Sequence, residues 1–169
     1  QVLEVSEPPL TSTPKHWRSV TRDKIAGLFG AGAQSAAYWG KSSEATASTL
    51  FDFGMHVGMA VQLKTELAVV EDEKLFKQKL NKQDLWSPLC FLLHDCMPPN
   101  ESKELSDKLL NEFNVPKMFT KLKYLFKKYE VSNQIHVEAE LELKQAKEFL
   151  KQLEFDSSPL QPLTQFSMI

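Results

Sequence analysis

The stretch Phe53-Gly54-Met55-His56-Val57-Gly58-Met59-Ala60-Val61-Gln62-Leu63-Lys64-Thr65-Glu66 decides how the chain is read, because it forms the middle of the longest helix the sequence predicts. Glycines at i and i+4, followed by Ala60, put small residues where a second backbone must come close. Each glycine inside a helix costs about 1 kcal/mol relative to alanine. A tight helix-to-helix crossing is the packing that offsets this cost.

Outward from that stretch, Ser42 or Ser43 can cap the helix, which is expected to run from Glu44 to about Val70. At 1.5 Å per residue it spans about 40 Å. Gly40 closes the helix before it, from Trp17 to about Tyr38. There Ile25, Leu28, Phe29, Gly32 and Ala36 recur at helical spacing, while Ala26, Gly30, Ala33 and Ala37 make the opposite side small or apolar too. A helix apolar nearly all round is expected to be buried over most of its surface. Residues 1–16, with three prolines, read as an extended leader or loop.

On the C-terminal side, Glu71-Asp72-Glu73 suits the start of a helix better than the end of one, since its charge opposes the macrodipole at a C-terminus. A short helix to Leu80 follows, then a polar break over 81–84 and an apolar segment, Leu85 to His94, around Pro88. Asn100 can cap a helix from Glu101 to Phe113, Pro116 can open one to about Tyr129, and Ser132 or Asn133 can start a last one ending near Phe155. No segment alternates with period 2 for long enough to claim a strand. The expectation is an all-α helical domain over 17–156, with a loose tail over 157–169.

Composition narrows the function classes. With 169 residues, 42% hydrophobic and 25% charged, the chain can bury one core and is not compositionally disordered. Net charge is −2, and only Arg18 and Arg22 are arginines among 20 basic residues. Nucleic acid is therefore excluded as an expected partner, and a bidentate diphosphate clamp is disfavoured. Cys90 and Cys96 lack the pairing of a zinc site and read as free, reduced thiols. His16, His56, His94 and His136 show no metal-ligand spacing. No run of 18 apolar residues spans a membrane, and a targeting segment is expected to have been removed or to lie outside this piece.

FGMHVGMAVQL resembles the helix of trans-isoprenyl diphosphate synthases that carries Phe-Gly, a Gly four residues on, an Ala and a Phe-Gln pair leading into the second aspartate-rich motif. Asp23-Lys24-Ile25-Ala26-Gly27-Leu28-Phe29 resembles that family's Lys-Thr-(Ala/Gly)-x-Leu-Phe segment, and Leu85-Trp86-Ser87-Pro88-Leu89 its Leu-Pro segment. The likeness covers about Trp17 to His94 in the right order. It implies the C-terminal part of the helical isoprenyl synthase fold.

The departures from the pattern decide the expected activity. In active members, the acids after Phe-Gln hold Mg²⁺ ions that bind the allylic diphosphate and draw off pyrophosphate. Aligned by Gln62, the three positions here hold Thr65, Glu66 and Val69, and Lys64 adds a competing positive charge. Lys24-Ile25 keeps a lysine but loses the hydroxyl, and Asp84 stands where the phosphate-binding lysine is expected. No Asp-Asp pair occurs in the chain. The resemblance then implies a non-catalytic subunit of a heteromeric polyprenyl diphosphate synthase, a mitochondrial complex (matrix or inner-membrane surface) that supplies the prenyl side chain of ubiquinone. Trp17 seventeen residues before Gln34-Ser35-Ala36-Ala37 is similar to such inactive subunits. Mg²⁺ and the chemistry belong to the catalytic partner in this reading, and this chain binds no cofactor.

The candidate residues follow. Lys24, Gln62 and Glu66 are relics of substrate contact, against plainer roles as a solvated lysine, a core or exposed glutamine, and an ion-paired glutamate. Phe53, His56 and Met59 are candidates for a subunit interface, with a buried, hydrogen-bonded histidine as the alternative. Lys117, Lys121, Lys123, Lys127 and Lys128 form an acid-free basic face, opposite Val115, Met118, Phe119, Leu122, Leu125, Phe126 and Tyr129. That layout suits peripheral contact with an anionic membrane, although a bundle helix with solvated lysines is the plainer reading. The rival functions are a fragment of an active prenyltransferase or terpene synthase with its metal site upstream, and a membrane-surface helical scaffold.

Overall fold

The computed structural model describes residues 12–82, 86–111, 115–154 and 156–165. Every regular element among them is helical: α1 (Pro14–Thr21), a π turn (Arg22–Ala26), α2 (Gly27–Trp39), α3 (Glu44–Val69), α4 (Glu73–Lys82), α5 (Ser87–Phe91), a second π turn (Leu92–Cys96), α6 (Pro99–Asn111), α7 (Val115–Lys128), α8 (Val131–Leu150) and a 3₁₀ turn (Ser158–Thr164). The all-α expectation holds.

The described residues form two compact units, one drawn from those within 12–18 and 65–135, the other from those within 19–64 and 136–165. In the first, an aromatic cluster forms the core. The Phe76 ring meets Trp86 edge-on with centroids 4.9 Å apart and Phe119 at 4.8 Å, and Trp86 meets Phe126 at 5.6 Å. Such edge-to-face pairs add to the area burial of their rings. In the second unit, Ala37, Ala47, Leu50, Phe53, Val57, Ala146 and Leu150 bury one another.

The crossing expected from Gly54 and Gly58 is there. A Cβ added at Gly54 would lie 2.5 Å from the Phe29 carbonyl oxygen and 2.8 Å from the Gly30 Cα, and one at Gly58 would lie 2.8 Å from the Ala26 Cα. A Cβ at Gly30 would lie 2.9 Å from the Phe51 carbonyl oxygen, so the glycines of α2 and α3 admit each other.

Side-chain caps explain two of the expected helix starts. Ser43 Oγ accepts the Thr46 N–H at 3.2 Å and opens α3, and Asp72 Oδ1 accepts the Leu75 N–H at 3.0 Å and opens α4, as the acidic trio suggests. Several boundaries differ from expectation: α7 begins at Val115 and not Pro116, and α8 at Val131, before Ser132 and Asn133. The first helix starts at Pro14, three residues earlier, because Thr13 Oγ1 accepts the His16 N–H at 3.2 Å and a proline at the first position lacks only a donor that needs no partner there. Gly40 does close α2 as its C-cap, but with φ −74°, and the left-handed residue is the next one, Lys41, with φ 58°. Asn100 is not a cap, since α6 already begins at Pro99. The last helix stops at Leu150, and part of the supposed loose tail is a 3₁₀ turn whose Leu160 packs on the second unit's core.

A further difference concerns α2. Only Gly30 and Ala37 of this apolar helix are buried, although its composition predicts near-complete burial.

Candidate functional site

The positions where the sequence pattern places metal-binding acids lie in the last turn of α3. Thr65 is exposed, Val69 is buried, and Glu66, the one carboxylate, is 3% exposed. Its role comes from α5. That short helix follows Trp86 in extended conformation (φ −145°, ψ 122°) and has no side-chain cap of its own. The first N–H groups of a helix need acceptors from outside it. Glu66 Oε2 accepts the Ser87 N–H at 2.8 Å, and the Glu66 main-chain carbonyl accepts the Trp86 indole N–H at 3.1 Å. With Trp86 and Ser87 at 1% and 0% exposure, both bonds are made in the dry interior, where a lost acceptor leaves an orphaned donor. Glu66 thus ties the end of α3 to the start of α5, a role that sequence reasoning, which offered a relic substrate contact or an ion pair, did not foresee. The available signal was a helix start at Ser87-Pro88 with no capping side chain. Its acceptor, 21 residues away, was not legible.

Magnesium pyrophosphate does not fit this turn. One buried carboxylate already accepting a main-chain N–H, flanked in sequence by a threonine and three residues later by a valine, offers too few oxygen ligands for a hard dication. Lys64, buried in the second unit, donates to Glu140 Oε1 at 3.1 Å. Gln62 is half-buried, and Lys24 is exposed on the π turn Arg22–Ala26. Asp84, with Gln83 and Leu85, lies outside the described residues.

Phe53 and Met59 are buried inside the second unit. His56 is half-buried there: its Nδ1 lies 2.6 Å from Glu142 Oε2, and its ring stacks on Phe149 with centroids 5.5 Å apart.

On α7, Met118, Leu122, Leu125 and Phe126 are buried in the first unit, so the apolar face that suggested a membrane contact packs inward. Lys121, Lys123, Lys127 and Lys128 are exposed, and the Lys117 side chain is outside the described residues. Lys123 pairs with Glu71 at 2.9 Å and Lys128 with Glu101 at 3.4 Å. The Tyr129 hydroxyl also donates to Glu101 at 2.6 Å and, with Lys128, holds that carboxyl below its usual range.

Cys90 and Cys96 are free. Burial pushes the Cys90 thiol up to about 12, which removes it as a nucleophile at neutral pH, and burial also raises Cys96. Among the described residues, no three His, Cys, Asp or Glu side chains converge as metal ligands, and no helix is long and apolar enough to cross a membrane.

No known protein-family model matches this sequence, and no curated protein does. Solved structures do. A polyprenyl synthase from Roseobacter denitrificans superposes with a TM-score of 0.78 at 20% identity, over 92% of this chain and 52% of that one. The chain has the helical fold of the trans-isoprenyl diphosphate synthases. A decaprenyl diphosphate synthase from Rhodobacter capsulatus (TM-score 0.73, 19% identity) and a polyprenyl synthetase from Streptomyces coelicolor A3(2) (0.75, 18%) each match over 92% of this chain and 48% of theirs. The chain spans about half the length of these synthases. At the end of α3 in this chain, a single carboxylate, Glu66, braces the start of α5.

Proposed function

We propose that the chain is the C-terminal part of a non-catalytic subunit of a heteromeric trans-polyprenyl diphosphate synthase, of the kind represented by subunit 2 of decaprenyl diphosphate synthase. In this reading it works in mitochondria, in the supply of the prenyl side chain of ubiquinone. The observation that carries the proposal is Glu66: the one acid at the three metal positions is buried and used as a main-chain acceptor. A synthase fold that spends that carboxylate on structure has kept the scaffold and given up the grip on diphosphate. The partner subunit supplies the aspartates, the Mg²⁺ and the ionisation of the allylic diphosphate. This chain supplies helical surface that holds the partner's helices in place, and as a ligand of the folded partner it stabilises that state by mass action.

The test is co-expression with a catalytic polyprenyl synthase subunit, followed by a product assay from an allylic diphosphate and isopentenyl diphosphate. No product from this chain alone and product from the pair is the expected result. Turnover by this polypeptide in isolation would overturn the proposal.

A further inference from the structure

From Ile25 to Gly40 the chain carries no charged residue, yet α2 is largely exposed. Leu28 is 72% exposed, Phe29 41% and Trp39 90%. Leu28, Gly32, Ala36 and Trp39, spaced i, i+4, i+8 and i+11, share one side of the helix. Beside it runs a groove of about 430 Å³ whose lining, from Leu28, Gly32 and Ala36 to Phe53, Leu160 and Leu163, is apolar. A Cβ at Gly32 would meet nothing within 4 Å, so the middle of this face is open to a close-packing helix, with bulky side chains at either end. Contiguous apolar surface of this kind marks an interface.

The fold comparison names the occupant. The synthase chains that this one matches continue for about as much polypeptide again, since only 52%, 48% and 48% of their lengths are covered. An uncharged helix left open in half of a helical fold is half of a core. We propose that the outer face of α2 docks an apolar helix from the part of the polyprenyl synthase fold that this chain does not span. The proposal rests on the fold and not on the inactive-subunit reading, and its test reads no activity, so the two stand or fall separately.

Trp39 is the reporter, because Trp17 and Trp86 are each 1% exposed. The chain is compared with a chimera of the Roseobacter denitrificans synthase in which this chain replaces the matched half. Acrylamide quenching of Trp39 is taken as the difference from a Trp39→Phe variant of each. Quenching that is strong in the chain alone, falls several-fold in the chimera and is restored by Ala36→Glu is the expected result. Trp39 equally accessible in both would overturn the proposal, as would protection in the chain alone that grows with protein concentration, which assigns the face to a second copy. Should the chimera not fold, the two halves are co-expressed as separate chains: co-purification that Ala36→Glu abolishes supports the docking, and its absence overturns it.

Discussion

Between Phe53 and Val61, α3 is shaped for contact: Gly54 and Gly58 leave no room for a methyl group against Phe29, Gly30 and Ala26, and the neighbouring Phe53 and Val57 are buried. Between Lys64 and Val69 the same helix holds the positions that carry acids in a synthase, and there the side chains are a buried lysine paired with Glu140, an exposed threonine, a buried glutamate and a buried valine. One segment meets the demands of packing, and the other holds a single carboxylate that is bonded to main chain. The two are separable because glycine spacing answers to backbone distance, whereas ligand spacing answers to charge. Glu66 answers to neither spacing: its carboxylate has a structural partner in the Ser87 N–H.

The largest effect should come from breaking the contact segment. Gly54→Val would drive a side chain into the Phe29 carbonyl, 2.5 Å from the new Cβ, and urea titration should show a loss of about 3 kcal/mol or more. Gly32→Ala, on the open side of α2, sharpens the contrast: with nothing near its new Cβ, it should stabilise the chain by about 0.5–1 kcal/mol. Equal losses at both sites would show that glycine spacing on these helices has nothing to do with the crossing.

Next in size is the structural use of Glu66. Glu66→Ala should cost about 1–3 kcal/mol, since it leaves the Ser87 N–H without an acceptor in a dry site. Glu66→Gln, which keeps an oxygen acceptor, should cost less in the same titration. If both variants melt like the parent, the brace between α3 and α5 is not a stabilising contact.

Much of this was legible in the sequence. Helical spacing, the Ser43 cap and the acidic trio before α4 located elements through interactions within a few residues, where chain connectivity does the work. The crossing was legible because two glycines in a helix are hard to explain otherwise. Three things were hidden. Apolarity around α2 says that the helix prefers burial, not that this chain contains enough partners to bury it. The amphipathic α7 has the same pattern whether its apolar face meets a membrane or, as here, the Phe76 and Trp86 rings. Glu66 and Ser87 meet only through the fold, and nothing near either residue announces the other.

Smaller effects refine the picture. Cys90, buried beside the α5 start, should resist a thiol reagent at pH 8 that labels half-buried Cys96, and should react only on unfolding. Its folded value of about 12 lies above the ordinary 9, so the folded state binds that proton more tightly. Its contribution is therefore complete below about pH 9 and is lost as pH rises toward 12; Cys90→Ala should flatten that alkaline decline in a pH series of melting curves. The smallest predicted change is Lys41→Gly. The left-handed φ of 58° suits glycine, and a gain of ~0.5 kcal/mol is expected by denaturant titration.

The most direct test of the claim that α3 has kept its packing and lost its grip on metal is calorimetric titration of the chain with MgCl₂ in the presence of inorganic pyrophosphate. The account predicts no saturable binding, with the Glu66→Gln variant indistinguishable from the parent. Stoichiometric binding that Glu66→Gln abolishes would contradict it.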